Sequence, residues 1–258
     1  MGEKQARIRC FVIDSHRNMS KKRREALLTF FCEEKEITIE QAREQVEFCD
    51  WYEKEYAVKW FEVVALWEGN VVGYLRCLRN ADCVTEWLIG DVHVNKMFRH
   101  RHIATRMYEK AIHSVMEFPA AEKILTSVHL ENENSIALHE KLGFENTRRK
   151  CSFPHLFFPE QESAFEKWLY QILPFPDNVS IETIAEKLLP VWQAYEKKCG
   201  NKPFAELENV IKQAKEGVSV FEIIWCGNRM VGFYYESDEK DILFNMQDDT
   251  LEIEEAKA

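Results

Sequence analysis

Val92-His93-Val94-Asn95-Lys96-Met97-Phe98-Arg99-His100-Arg101-His102-Ile103-Ala104-Thr105 is the stretch on which the reading of this chain turns. Its alternating start ends a strand, a short polar loop follows, and a helix opens. The first backbone N–H groups of a helix have no partner inside it, and the helix dipole is positive there. Together they form a site for an anion such as a pyrophosphate. Arg99 and Arg101 add cationic charge at the same place. Downstream, Asn132-Glu133-Asn134-Ser135-Ile136-Ala137-Leu138-His139-Glu140-Lys141-Leu142-Gly143-Phe144 reads as a second helix just past a strand, with Gly143 closing it.

Working outward, Arg7–Ile13 reads as a strand with Ile8, Cys10 and Val12 on one face. Ser20 caps a helix over Lys21–Glu33, and Thr38 caps another that starts at Ile39. Phe61–Trp67 and Val71–Leu78 form a hairpin about Glu68-Gly69-Asn70, and Thr85–Val94 is a third strand. A long helix is expected over Arg99–Met116, a strand over Ile124–Leu130, a helix over Asn134–Leu142, and extended chain from Phe144. This order predicts an α+β fold of α/β flavour, a mixed β-sheet flanked by helices.

After this the pattern restarts. Prolines at 154, 159, 174 and 176 suggest a linker over 159–177 around a short helix, Ser163–Ile172. A first domain would then span 1–158, a smaller unit 178–247, and an acidic, solvated tail 248–258. Helices are expected at Ser180–Lys198 and Pro203–Lys215, then strands at Ser219–Cys226, Arg229–Tyr235 and Asp241–Met246. Trp60-Phe61-Glu62-Val63-Val64 parallels Val220-Phe221-Glu222-Ile223-Ile224, and Val71-Val72-Gly73-Tyr74 parallels Met230-Val231-Gly232-Phe233. The second copy is expected to stop after its third strand, so the chemistry of Arg99 to Phe144 occurs once.

Composition bounds the function. Net charge is −10, which disfavours nucleic acid as a partner. Residues 1–160 hold 24 Lys and Arg against 25 Asp and Glu, whereas residues 161–258 hold 10 against 19, a field suited to a cationic partner. No apolar run reaches the roughly 18 residues of a membrane helix, and the start carries neither a leader-like apolar core nor a lipidation signal. A cytoplasmic protein off the membrane is expected. The eight cysteines have no paired spacing, which speaks against a zinc ribbon and for reduced thiols. His93, His100 and His102 lack the spacing of a metal site.

The two quoted stretches, in this order and at this separation, resemble the general N-acetyltransferase (GNAT) superfamily over about residues 6–150. Arg99, Ile103 and Ala104 fit the pattern of the acetyl-CoA pyrophosphate loop. Asn132, Leu138, Lys141, Gly143 and Phe144 fit the helix that flanks the thioester, with Ser135 in place of alanine and His139 in place of tyrosine. The resemblance implies the acyl-CoA N-acyltransferase fold, with a partial repeat of it in the second unit. It also implies acetyl-CoA as co-substrate and direct transfer to the amine of a small molecule or peptide within a ternary complex. Arg99, His100, Arg101, His102, Ile103, Ala104 and Thr105 would hold the pyrophosphate. Val92, His93 and Val94 would pair with the pantetheine arm where the sheet splays, and Asn132, Ser135 and Lys141 would line the far wall. His139 would act as the acid, and Glu86 or Asp91 as the base, directly or through water. His93 alternates with Val92 and Val94, which puts it on the acceptor side.

The chain departs from the pattern at two positions. His100 and His102 stand where glycine is usual because the backbone there needs close approach or positive φ. Lys96 replaces a proline. These departures raise an alternative, a decayed tandem acetyltransferase that binds acyl-CoA or a protein partner without turnover. The second unit is open to a further use as a homodimer surface.

Overall fold

The computed structural model describes residues 8–16, 19–174, 179–200, 205–237, 240–247 and 250–255. Pro176, Pro203, Asp248 and Asp249, which figure in the expectations above, lie outside them. The chain divides into two compact units, 1–168 and 169–258.

The first unit begins with β1 (Arg9–Ile13), α1 (Lys21–Lys35) and α2 (Ile39–Tyr56). Ser20 Oγ accepts from Arg23 N to start α1, and Thr38 and Gln41 form a reciprocal capping box on α2. Leu27, Phe30 and Phe31 recur at helical spacing and are buried with Ala42, Val46, Val64 and Tyr74. The hairpin of β2 (Trp60–Trp67) and β3 (Asn70–Arg79) turns through Glu68 and Gly69, both at positive φ, as a two-residue hairpin turn prefers. Next come β4 (Glu86–Val94), α3 (Ile103–Met116), β5 (Lys123–His129), α4 (Glu133–Lys141), β6 (Glu145–Asn146) and β7 (Glu162–Trp168). The sheet order is β1-β2-β3-β4-β5-β7-β6, with β4 and β5 its parallel pair.

Successive strand residues point to opposite faces, and β3 shows what this does. Tyr74 packs with α1 and α2. On the other face, a Cβ at Gly73 would stand 3.0 Å from Met107 Sδ and 3.1 Å from Ile103 Cγ2, so glycine there lets α3 approach. Helices therefore cover both faces, the expected mixed, helix-flanked sheet.

The second unit contains β8 (Tyr170–Pro174), α5 (Ile181–Lys198), α6 (Leu207–Lys215), β9 (Val220–Cys226), β10 (Arg229–Glu236), β11 (Lys240–Asn245) and β12 (Thr250–Glu255). Its all-antiparallel sheet runs β12-β11-β10-β9-β8. Trp192, Tyr195, Phe221, Phe233 and Phe244 form its core with the two helices.

The linker helix Ser163–Ile172 is instead β7 and β8, because Glu162–Trp168 finds a full antiparallel ladder on β5 that a local helical pattern does not reveal. The acidic end is not wholly a solvated tail. Thr250–Glu255 pairs with β11, and alternate apolar residues Leu251 and Ile253 lie opposite Phe244 and Ile242. The second unit thus continues past its third strand. The helix expected from Arg99 also begins later, at Ile103.

The repeated hairpins match beyond sequence. In β2–β3, Ala65 faces Gly73 and Leu66 faces Val71, leaving Val72 as a bulge. In β9–β10, Ile224 faces Gly232 and Trp225 faces Met230, leaving Val231 as a bulge at the corresponding place. The two glycines serve different neighbours. A Cβ at Gly232 would lie 2.0 Å from the Phe244 carbonyl of β11, whereas Gly73 makes room for a helix.

Among the described residues, no helix is long and apolar enough to cross a membrane. All eight cysteines are free thiols, with Cys49, Cys77, Cys151 and Cys226 buried and the others partly so.

Candidate active site

The site begins where β4 and β5 part. They pair only over Glu86–Leu88 and Lys123–Leu125, after which β5 continues with β7 and β4 continues with β3 alone. The β5-facing edge of β4 beyond Leu88 therefore has no ladder partner. On the β3 side, Tyr74 faces His93 and Arg76 faces Gly90, so Asp91 and Val92 together oppose Leu75. Asp91 takes φ 55°, the left-handed conformation of a bulge.

The opening between β4, α3 and α4 is a groove of about 750 Å³. Every residue expected to hold the donor lines it except Arg101, whose guanidinium instead lies 5.4 Å from the centre of the Phe98 ring. Its polar end is the first turn of α3, where the N–H groups of Ile103, Ala104 and Thr105 precede the first helical hydrogen bond, Arg106 N to His102 O. His100 and His102 have φ of 59° and 56°. The backbone thus takes the glycine-like path with histidine in place, a residue type that tolerates this region better than most. Replacing each with glycine is expected to raise stability by about 1 kcal/mol, read from urea unfolding, because the Cβ clash of a left-handed residue disappears. Arg99 Nε donates to the Val94 carbonyl at 3.1 Å, and its guanidinium lies 3.8 Å from Glu34. Asn132 Oδ1 accepts from Ser135 N and caps α4 at the opposite wall.

Of the three expected acid–base residues, the structure brings two to the groove region. Glu86 is separated from it: at the other end of β4, its carboxylate bonds Lys123 at 2.8 Å and Asn80 at 3.0 Å beside a different cleft. The position of Glu86 in the strand decides this, since β4 and β5 are still paired there.

Asp91 is held by two cations and a histidine. Lys35 Nζ lies 2.5 Å and His93 Nε2 3.0 Å from the same oxygen, Oδ1, and Arg76 stands 3.6 Å from Oδ2. Burial pushes its pKa up, but the His93 hydrogen bond, the Arg76 guanidinium and the Lys35 ammonium outweigh it, holding the carboxyl well below the usual range. A carboxylate so stabilised is a weak base, which corrects the direct role expected of Asp91. It is well placed to orient His93. With Nε2–H donating to Asp91, His93 keeps Nδ1 as an acceptor, and the ring is a third exposed at the groove.

His139 is buried beneath the same groove. Nδ1 lies 2.6 Å from the Ser135 carbonyl and must donate to it, so Nε2 accepts from Tyr108 Oη at 2.7 Å. Burial lowers the pKa of His139, opposed by the Ser135 bond, and burial raises that of the Tyr108 phenol. Both ring nitrogens are committed and the ring favours its neutral form, so this geometry makes His139 the anchor of Tyr108 and not a free proton donor. Tyr108 was not singled out from sequence: on an amphipathic helix it reads as one more core aromatic. The Asp91–His93 pairing did carry a signal, two polar residues two apart on one strand face.

A profile of the acetyltransferase (GNAT) family matches residues 24–144, so the first unit carries a GNAT acetyltransferase domain, a family whose chemistry is acyl transfer from acyl-CoA. No curated protein matches the chain. Among solved structures, an acetyltransferase from Streptococcus agalactiae is 16% identical, covering 62% of this chain and 98% of its own, with a TM-score of 0.46. An acyl-CoA N-acyltransferase from Pseudomonas aeruginosa is 16% identical over 62% and 99%, at 0.45. Escherichia coli ElaA is 15% identical over 62% and 99%, at 0.47.

Proposed function

We propose that the first unit is an acetyl-CoA-dependent N-acetyltransferase that transfers acetyl directly to a primary amine of a small molecule or peptide. The observation that supports this best is the coincidence of three features in one groove: a parted β4–β5 pair, an open helix N-terminus and a carboxylate-oriented imidazole. The α3 first turn, with Arg99, His100 and His102 around it, holds the pyrophosphate. The unladdered edge of β4 pairs with the pantetheine arm and polarises the thioester carbonyl. His93, oriented by Asp91, takes the proton from the acceptor ammonium. Tyr108, anchored by His139, completes the wall beside the departing thiolate. Among the described residues, the second unit repeats the helix pair and hairpin without this groove, because its fifth strand, β12, returns as a hairpin partner of β11.

Isothermal titration with acetyl-CoA and with CoA tests the reading. Binding in the micromolar range that Arg99→Ala weakens at least tenfold is expected, and thiol release with a panel of primary amines, polyamines included, follows from it. Absence of binding at millimolar ligand would overturn the enzyme. Binding without turnover on any amine or peptide would favour the alternative of a decayed transferase acting as an acyl-CoA-binding module, although the glycine-like path kept by His100 and His102 argues for a working loop.

A further inference from the structure

One amine is already in place beside the proposed base. Lys35 closes α1, and its ammonium and the His93 imidazole meet on a single oxygen, Asp91 Oδ1, at 2.5 and 3.0 Å. Its remaining bond is to Gln45 Oε1 at 3.2 Å. The Lys35 side chain is 17% exposed, whereas Lys21 and Lys96 are 91% and 66% exposed. Lys35 is thus shielded from bulk reagents and shares its carboxylate oxygen with His93, an imidazole that lines the groove.

We infer that Lys35 is a self-acetylation site, taking an acetyl group from acetyl-CoA bound to its own chain. The inference rests on the donor site proposed above. In the step, one ammonium proton passes through water to His93 Nδ1, the ring nitrogen left as an acceptor, and on to solvent, and the freed lone pair of Nζ forms the new C–N bond. The thioester C–S bond breaks, and the second proton of the nitrogen ends on the departing thiolate. The products are one acetamide, one CoA thiol and one proton. Acetylation removes the cation from Asp91 and leaves that carboxylate to His93 and Arg76, so the modified chain presents its acceptor side without a resident ammonium.

The geometry sets Lys35 apart from the other lysine near the donor. Lys141 lines the groove itself, on α4, whereas Lys35 lies beside it, on the carboxylate that holds His93. Uncatalysed acetylation, in contrast, favours exposed amines such as Lys21.

The test incubates the full chain with acetyl-CoA and follows intact mass and peptide maps, with acetyl-CoA binding measured in parallel by titration. One acetyl per chain on Lys35 is expected, at a first-order rate that does not change with protein concentration. Lys35→Arg keeps the ion pair with Asp91 but has no acylable amine. It should lose this acetyl while still binding acetyl-CoA, and His93→Gln should slow the reaction at least tenfold. Acetyl spread over exposed lysines, or on Lys141, at a rate unchanged by Lys35→Arg would overturn the inference. So would binding of acetyl-CoA with no incorporation, which leaves the donor site standing. Failure to bind acetyl-CoA would overturn both together.

Discussion

With His93 replaced by alanine, kcat for amine acetylation is expected to fall by about 100- to 10,000-fold, the range that a positioned general base supplies. Acetyl-CoA affinity should stay within about twofold, because in the proposed site the pyrophosphate is held by backbone groups of α3 and not by this ring. The split follows from the geometry. His93 joins the Asp91 carboxylate at 3.0 Å and lines the groove from β4, whereas the anion end is built from Ile103 to Thr105. Steady-state kinetics by thiol release, with the amine that gives the highest turnover, checks the first half, and titration with acetyl-CoA checks the second. A kcat unchanged in His93→Ala would assign proton removal to solvent, and a lost affinity would mean that the ring chiefly shapes the donor site.

The second large effect concerns stability. Glu62 is fully buried on β2, where it bonds His16 Nε2 at 2.9 Å and accepts from Tyr74 Oη at 2.5 Å and Cys49 Sγ at 3.4 Å, with Arg76 Nε at 3.8 Å. Arg76 in turn donates to the Gln45 carbonyl at 2.7 Å, lies against the Phe48 ring and faces Asp91. Removing one member of such a buried set strands the others, and Glu62→Ala is expected to cost about 3–5 kcal/mol. Urea unfolding followed by hydrogen exchange at β2–β3 amides reads this unit by itself. The double replacement Glu62→Leu with Arg76→Met should recover much of the loss, since no buried charge then lacks its partner. It should not recover catalysis, because Arg76 also sets the ionisation of Asp91 behind His93. If the double variant were as unstable as the single one, packing around Glu62 would be the cause.

The charged network was invisible in the sequence for a plain reason. His16, Glu62, Arg76 and Asp91 lie on four separate segments, and each by itself reads as an ordinary polar residue of a surface loop or an alternating strand. Only the strand register, which sets Glu62 beside Arg76 and Arg76 beside Gly90 at the bulge, brings them together. The same holds for His139 and Tyr108: the helix spacing of each was legible, but not that one ring would bond the other. Ser163–Ile172 failed in the opposite direction, since its local pattern suggested a helix and a ladder on a distant strand decided otherwise.

The sequence by itself determined the element order of the first unit as far as α4, the helix caps at Ser20 and Thr38, the tight turn at Gly69, and the loop and open helix start between Arg99 and Thr105. These are properties of neighbours along the chain: periodicity, turn chemistry and the unpaired N–H groups that any helix start leaves open. Tertiary structure alone decided which carboxylate lies beside which imidazole or ammonium. It separated Glu86 from the groove and brought His93 and Lys35 onto one oxygen of Asp91. Those outcomes depend on where β4 parts from β5 and on a one-residue bulge, and they come from pairing between segments far apart in the chain.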